Sequence, residues 1–183
     1  MKKVIATFAL ASLAMIVFVG TSLGASANLK TFADNGSTVT VQSSSSATIV
    51  NPTKPDSVPY DADGGVYVQG KSLNEKRLNT VSFGFTSKDA VTGGAPRFSM
   101  PINDGGNGGY AFMDAANCGG ATGGTTLVST TNPSCKVYYG SGVYANWAAF
   151  AQQNPTYKIG SNIPFIIADG SAGHYVLTGI DLH

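Results

Sequence analysis

Thr80-Val-Ser-Phe-Gly-Phe-Thr86 is the stretch whose reading decides the fold class. Val81, Phe83 and Phe85 alternate with Ser82, Gly84 and Thr86, so an extended chain puts the large apolar side chains on one face. Val176-Leu-Thr-Gly-Ile-Asp-Leu182 partly repeats the alternation. Working outward, runs rich in β-branched and aromatic residues and punctuated by glycine predict further strands at Val66–Gln69, Arg97–Ile102, Tyr110–Asp114 and Thr125–Ser129. Others follow at Lys136–Tyr139, Tyr157–Ile159 and Ile163–Ala168. Many short strands at near-regular spacing, without helices between them, imply an all-β fold, an antiparallel β-sandwich or barrel.

One short helix is expected near residues 143–153. Trp147, Phe150 and Ala151 fall at i, i+3 and i+4 and give it a single apolar face, and Asn154-Pro155 ends it. On that reading Trp147, the only tryptophan, is a core residue.

The amino terminus reads as an export signal. Lys2-Lys3 precedes an apolar run from Val4 to Val19, and Ala25-Ser-Ala27 supplies the small residues of a cleavage site, so residues 1–27 are expected to be removed. The rival is an uncleaved anchor, but a spanning helix needs about 20 apolar residues and this run dissolves into Gly, Thr and Ser. The rest divides into an N-terminal strand or linker region, 28–60, and a β-sandwich domain, 61–183. In the former, Asn35-Gly36 between Leu29-Lys-Thr-Phe32 and Ser37-Thr-Val-Thr-Val41 has the pattern of a hairpin turn. Ser43–Ser46 and the Pro52, Pro55, Pro59 series look like connecting chain, so this region is either a stalk or a sheet edge.

Lys and Arg total 11 and Asp and Glu total 10, and Arg77 and Arg97 are the only arginines. Such a balance lacks the basic footprint of a nucleic-acid binder, and no second apolar run is long enough to insert in a bilayer after cleavage. Cys118 and Cys135 are the only cysteines. In an oxidising compartment an even pair favours a disulfide. It would offset part of the entropy lost in ordering the glycines between Gly105 and Gly124. A two-cysteine metal site is the alternative, but neither histidine is spaced to complete it.

Catalytic constellations are sparse. Glu75, the only glutamate, sits in the polar turn Asn74-Glu-Lys-Arg77 and reads as a solvated loop charge. His174 is the only internal histidine and no Gly-x-Ser-x-Gly elbow accompanies it, which leaves a surface or core-edge residue against a proton shuttle. Asp61-Ala-Asp63-Gly-Gly65 places oxygen ligands two residues apart, as at the start of a calcium loop, although the later acidic positions are missing. A structural calcium there, joined by Asn103 and Asp104, stands beside an ordinary Asp/Gly turn.

Aromatic side chains with flat apolar faces and polar rims are suited to sugars. The candidates are Tyr67, Tyr138 and Tyr139, with Tyr60, Tyr144 and Trp147 behind them. Adjacent Tyr138 and Tyr139 must face opposite sides of a strand, so one of them points to solvent. Arg97, next to an apolar strand, would pair with Asp114 or with a ligand carboxylate, or form a sheet-surface salt bridge.

Val81–Ile102, Tyr110-Ala-Phe-Met-Asp114 and the Tyr144–Pro155 helix together look similar to small secreted bacterial β-sandwich proteins. In layout, over about Gly65–His183, the chain resembles carbohydrate-binding jelly-roll modules; the likeness transfers no individual residue. It implies an exported, non-catalytic module that binds an extracellular polysaccharide. A structural or self-associating surface protein, whose partner is another surface protein, is the second expectation, and a hydrolase the third.

Overall fold

The computed structural model describes residues 28–53, 62–70, 72–89, 93–120, 123–170 and 172–183. The expected signal at 1–27 lies outside the described residues, as do Pro55, Pro59, Tyr60 and Asp61. The described residues form an antiparallel β-sandwich with one short α-helix. Its strands are β1 (Asn28–Ala33), β2 (Thr38–Ser43), β3 (Ser46–Asn51), β4 (Asp63–Gln69), β5 (Phe83–Asp89), β6 (Arg97–Asn103) and β7 (Gly109–Asp114). They continue with β8 (Thr125–Ser129), β9 (Val137–Tyr139), β10 (Gly142–Tyr144), β11 (Lys158–Ile159), β12 (Phe165–Asp169) and β13 (Gly173–Leu182). The larger sheet has the order β1-β4-β12-β6-β7-β9-β10, with β11 also paired to β6. The smaller is five-stranded, β2-β3-β13-β5-β8.

Alternation places the core. Phe83 and Phe85 of β5 point inward beside Leu177 and Tyr175 of β13, and meet Phe98, Met100 and Val66 from the larger sheet. Phe83 and Phe98 bridge the sheets with ring centroids 4.5 Å apart. The smaller sheet turns Thr40, Thr48, Thr86 and Thr178 outward, with Thr40 opposite Thr48 and Thr178 opposite Thr86.

Residues 28–51 supply strands to both sheets. The hairpin expected across Asn35-Gly36 is corrected: the turn is present, but its flanks join different sheets. Asn35 and Gly36 both have positive φ, and Ser37 N donates to Asp34 O at 3.0 Å. β1 then pairs with β4, and β2 with β3. The buried Ser37 hydroxyl explains the divergence, because it bonds Asn51 Oδ1 at 2.9 Å while Asn51 Nδ2 donates to Ala168 O at 2.8 Å. That relay draws the chain across to β3. The local hairpin is instead β2–β3, turning in the Ser43–Ser46 stretch expected to be connecting chain.

The helix α1 runs Trp147–Gln153 and buries Trp147, Phe150 and Ala151. It starts later than expected because Val143 and Tyr144 pair with β9 through the turn at Gly140, and because Asn146 caps the helix by accepting from Ala149 N at 2.9 Å. Trp147 Nε1 donates to Leu78 O at 2.9 Å and its ring meets Phe83 edge-on at 4.8 Å, so the helix closes one end of the core. Cys118 and Cys135 form a disulfide, joining the turn after β7 to the approach to β9. Among the described residues no helix is long and apolar enough to cross a membrane.

Candidate functional site

Aromatic residues occupy many of the outward positions of the larger sheet. Tyr67 of β4 lies opposite Phe165 of β12, Phe165 opposite Ser99 of β6, Ser99 opposite Phe112 of β7, and Phe112 opposite Tyr138 of β9. One row of directly opposed residues thus crosses five strands, roughly 19 Å at the normal interstrand spacing. Lys30 extends it at one end and Val143, 60% exposed, at the other.

Neighbouring rings thicken the row. Phe32 of β1 packs 4.8 Å from Tyr67, and Tyr110 lies 5.1 Å from Phe165. Gly65 makes Phe32 possible, since a Cβ there would collide with the Phe32 ring and the Ile166 carbonyl. Phe112 and Tyr138 stack at 5.1 Å with 11° between their planes. Tyr67 is 38% exposed and the other rings are half-buried. Burial, and then the nearby Tyr67 phenol, push the Tyr110 hydroxyl above the usual tyrosine range.

Arg97 borders the row two residues from Ser99. Its guanidinium stands 5.2 Å over the Phe112 ring and its Nη2 meets Asp169 Oδ2 at 2.6 Å. The expected pairing with Asp114 is corrected. Asp114 lies opposite Arg97 in register but is buried and accepts from the backbone and side-chain nitrogens of Asn117 at 2.8 to 2.9 Å. Arg97 Nε is buried without a hydrogen-bond acceptor among the described residues, and the face of Phe112 adds to the attraction that Asp169 exerts on the cation.

The other expected residues go elsewhere. Tyr139 turns to the opposite side of β9, among Phe150 and Tyr157, and donates to Asp104 Oδ2 at 2.6 Å. That hydroxyl, followed by the amides of Gly106 and Gly108, holds the Asp104 carboxyl below its ordinary range. Burial and then Asp104 raise Tyr139. Tyr139 therefore pins the glycine loop after β6 and is not part of the aromatic face. Tyr144 packs on Phe150 at 4.8 Å.

Of the expected calcium ligands, Asp61 lies outside the described residues, and Asp63, Asn103 and Asp104 are not brought together. Asp63 faces Asp169 at the Arg97 end of the larger sheet, whereas Asn103 and Asp104 lie at the far end of β6, roughly 20 Å along the strand. Glu75 is exposed and accepts from Lys158 Nζ at 2.6 Å and Asn103 Nδ2 at 3.0 Å, which lower its pKa. His174 sits on the smaller sheet, 3.1 Å from Asp89 Oδ2 and away from the aromatic row.

No family model, curated protein or solved structure matches the chain. The aromatic face is therefore read from its own residues. Sequence reasoning found Tyr67, Arg97 and Tyr138 and missed Phe32, Phe165, Tyr110 and Phe112. The alternation in Tyr110-Ala-Phe-Met113, with Ala111 and Met113 in the core, was the signal for two of them.

Proposed function

We propose that the chain is an exported, non-catalytic β-sandwich that holds an extracellular polysaccharide along the aromatic outer face of its larger sheet. The observation that carries this reading is the in-register row Tyr67, Phe165, Ser99, Phe112, Tyr138. A linear polymer of flat apolar sugar faces and hydroxyl rims suits an extended strip of rings bordered by hydrogen-bonding groups. The phenols of Tyr67, Tyr110 and Tyr138 and the ion pair of Arg97 with Asp169 supply that border. Ser99, at the centre of the row, is buried beneath the larger side chains on either side, so the rings are what a ligand would meet. The disulfide, and the export signal expected at residues 1–27, support the same compartment.

The test is retention of the exported protein on a panel of insoluble polysaccharides. Retention on at least one polymer is expected, and Tyr67→Ala and Tyr138→Ala each weaken it by about fivefold, the loss of one aromatic contact of about 1 kcal/mol. A blank panel, or undiminished retention in both variants, overturns the reading. Export itself is checked by sequencing the amino terminus of the secreted protein, expected to begin at Asn28.

A further inference from the structure

Sheet edges offer unpaired backbone groups, and proteins protect them with charge, short length or covering groups. Three of the four edges here carry such protection among the described residues. β1 has Lys30 at its middle, and β10 is only three residues long. β8 has its Leu127 carbonyl covered by Asn132 Nδ2 at 2.6 Å. β2 has none of these. Thr38-Val-Thr-Val-Gln-Ser43 is six residues long, carries no charge and no proline, and all but Val39 are exposed. Its single irregularity, the register shift against β3 between Val41 and Ser43, falls at the hairpin end and leaves Thr38–Val41 regular.

The strand is also chemically symmetric about Thr40. Val39 and Val41 flank it, and beyond them stand the polar Thr38 and Gln42. A two-fold interface requires a self-complementary surface, and a neutral strand facing its own copy meets no like charge. We infer that β2 pairs antiparallel with β2 of a second copy, on an axis through Thr40, joining the two five-stranded sheets into one. In that register Val39 faces the partner's Val41. Residues opposed across an antiparallel pair share a face, so the apolar stripe that β2 lays toward the core continues across the axis and threonine meets threonine on the outside. The contact lies on the sheet opposite the aromatic face and stands independently of the glycan reading.

The experiment is light scattering on the eluting exported protein across a range of loading concentrations. The mass is expected to rise from one chain to two. Thr40→Lys and Thr40→Glu, each placing like charges opposite one another on the axis, remain at the mass of one chain. An equimolar mixture of the two returns to the mass of two. Thr40 is exposed, so both variants keep the parent's circular dichroism and melting temperature, which separates lost pairing from lost folding. A parent that stays at the mass of one chain throughout, or a Thr40→Lys variant that pairs as the parent does, overturns the inference. Neither result bears on retention by polysaccharide.

Discussion

Tyr138 and Tyr139 are adjacent, and the pleat of β9 sends them to opposite sides with different consequences. Tyr138 stacks on Phe112 at the surface, while Tyr139 ties its hydroxyl to Asp104. A carboxylate held below its ordinary range by hydrogen bonds contributes stability above the unfolded aspartate pKa. That contribution is lost as pH falls through the folded value. Tyr139→Phe removes the largest of those bonds and is expected to lower the urea midpoint near neutrality. Its difference from the parent should shrink as pH drops through the carboxylate range, measured by unfolding at a series of pH values. A difference that stays constant with pH would show that lost packing, and not the bond to Asp104, is responsible. The opposition of the two tyrosines was legible in the sequence because a strand has a period of two. Which of them would face solvent was not legible, since that depends on Phe112 and Asp104 arriving from other strands.

At the scale of elements, strands such as Phe83–Asp89 and Arg97–Asn103 were readable because large apolar residues alternate along them, Phe83 and Phe85 in one, Phe98, Met100 and Ile102 in the other. The partners of β1 and β2 were not. Asn35-Gly36 does form a tight turn, but the decision to splay the flanking strands belongs to the buried Ser37 to Asn51 bond, which no local pattern announces. The start of α1 was obscured in the same way, because Val143 and Tyr144 satisfy their backbone in β10 and leave Asn146 to begin the helix. Asn146→Ala is expected to destabilise the protein by about 1 kcal/mol, the usual value of an N-cap side chain, read from chemical denaturation. Asn146→Ser should restore most of the loss. An Ala variant as stable as the parent would mean that packing of Trp147 and Phe150 alone holds the helix in place.

For the whole molecule, the sandwich has one aromatic and one threonine-rich exterior, and Gly119 and Gly120 follow directly on Cys118 of the Cys118–Cys135 bond, while the Gly105–Gly109 loop lies at the other end of β7. Replacing both cysteines by alanine is expected to lower stability by about 3 kcal/mol, the chain-entropy value for a loop of this size, read as a lower denaturant midpoint. A much smaller loss would mean that the loop stays constrained when the chain unfolds. The aromatic row has a consequence of its own for the molecule's endurance. Its rings belong to strands that neighbour one another only in the folded sheet, from Tyr67 through Phe112 and Tyr138 to Phe165. A polymer lying along it would span chain segments remote in sequence, and those segments could not part without first releasing it. Occupancy would then act as an external splint against thermal unfolding and proteolytic attack.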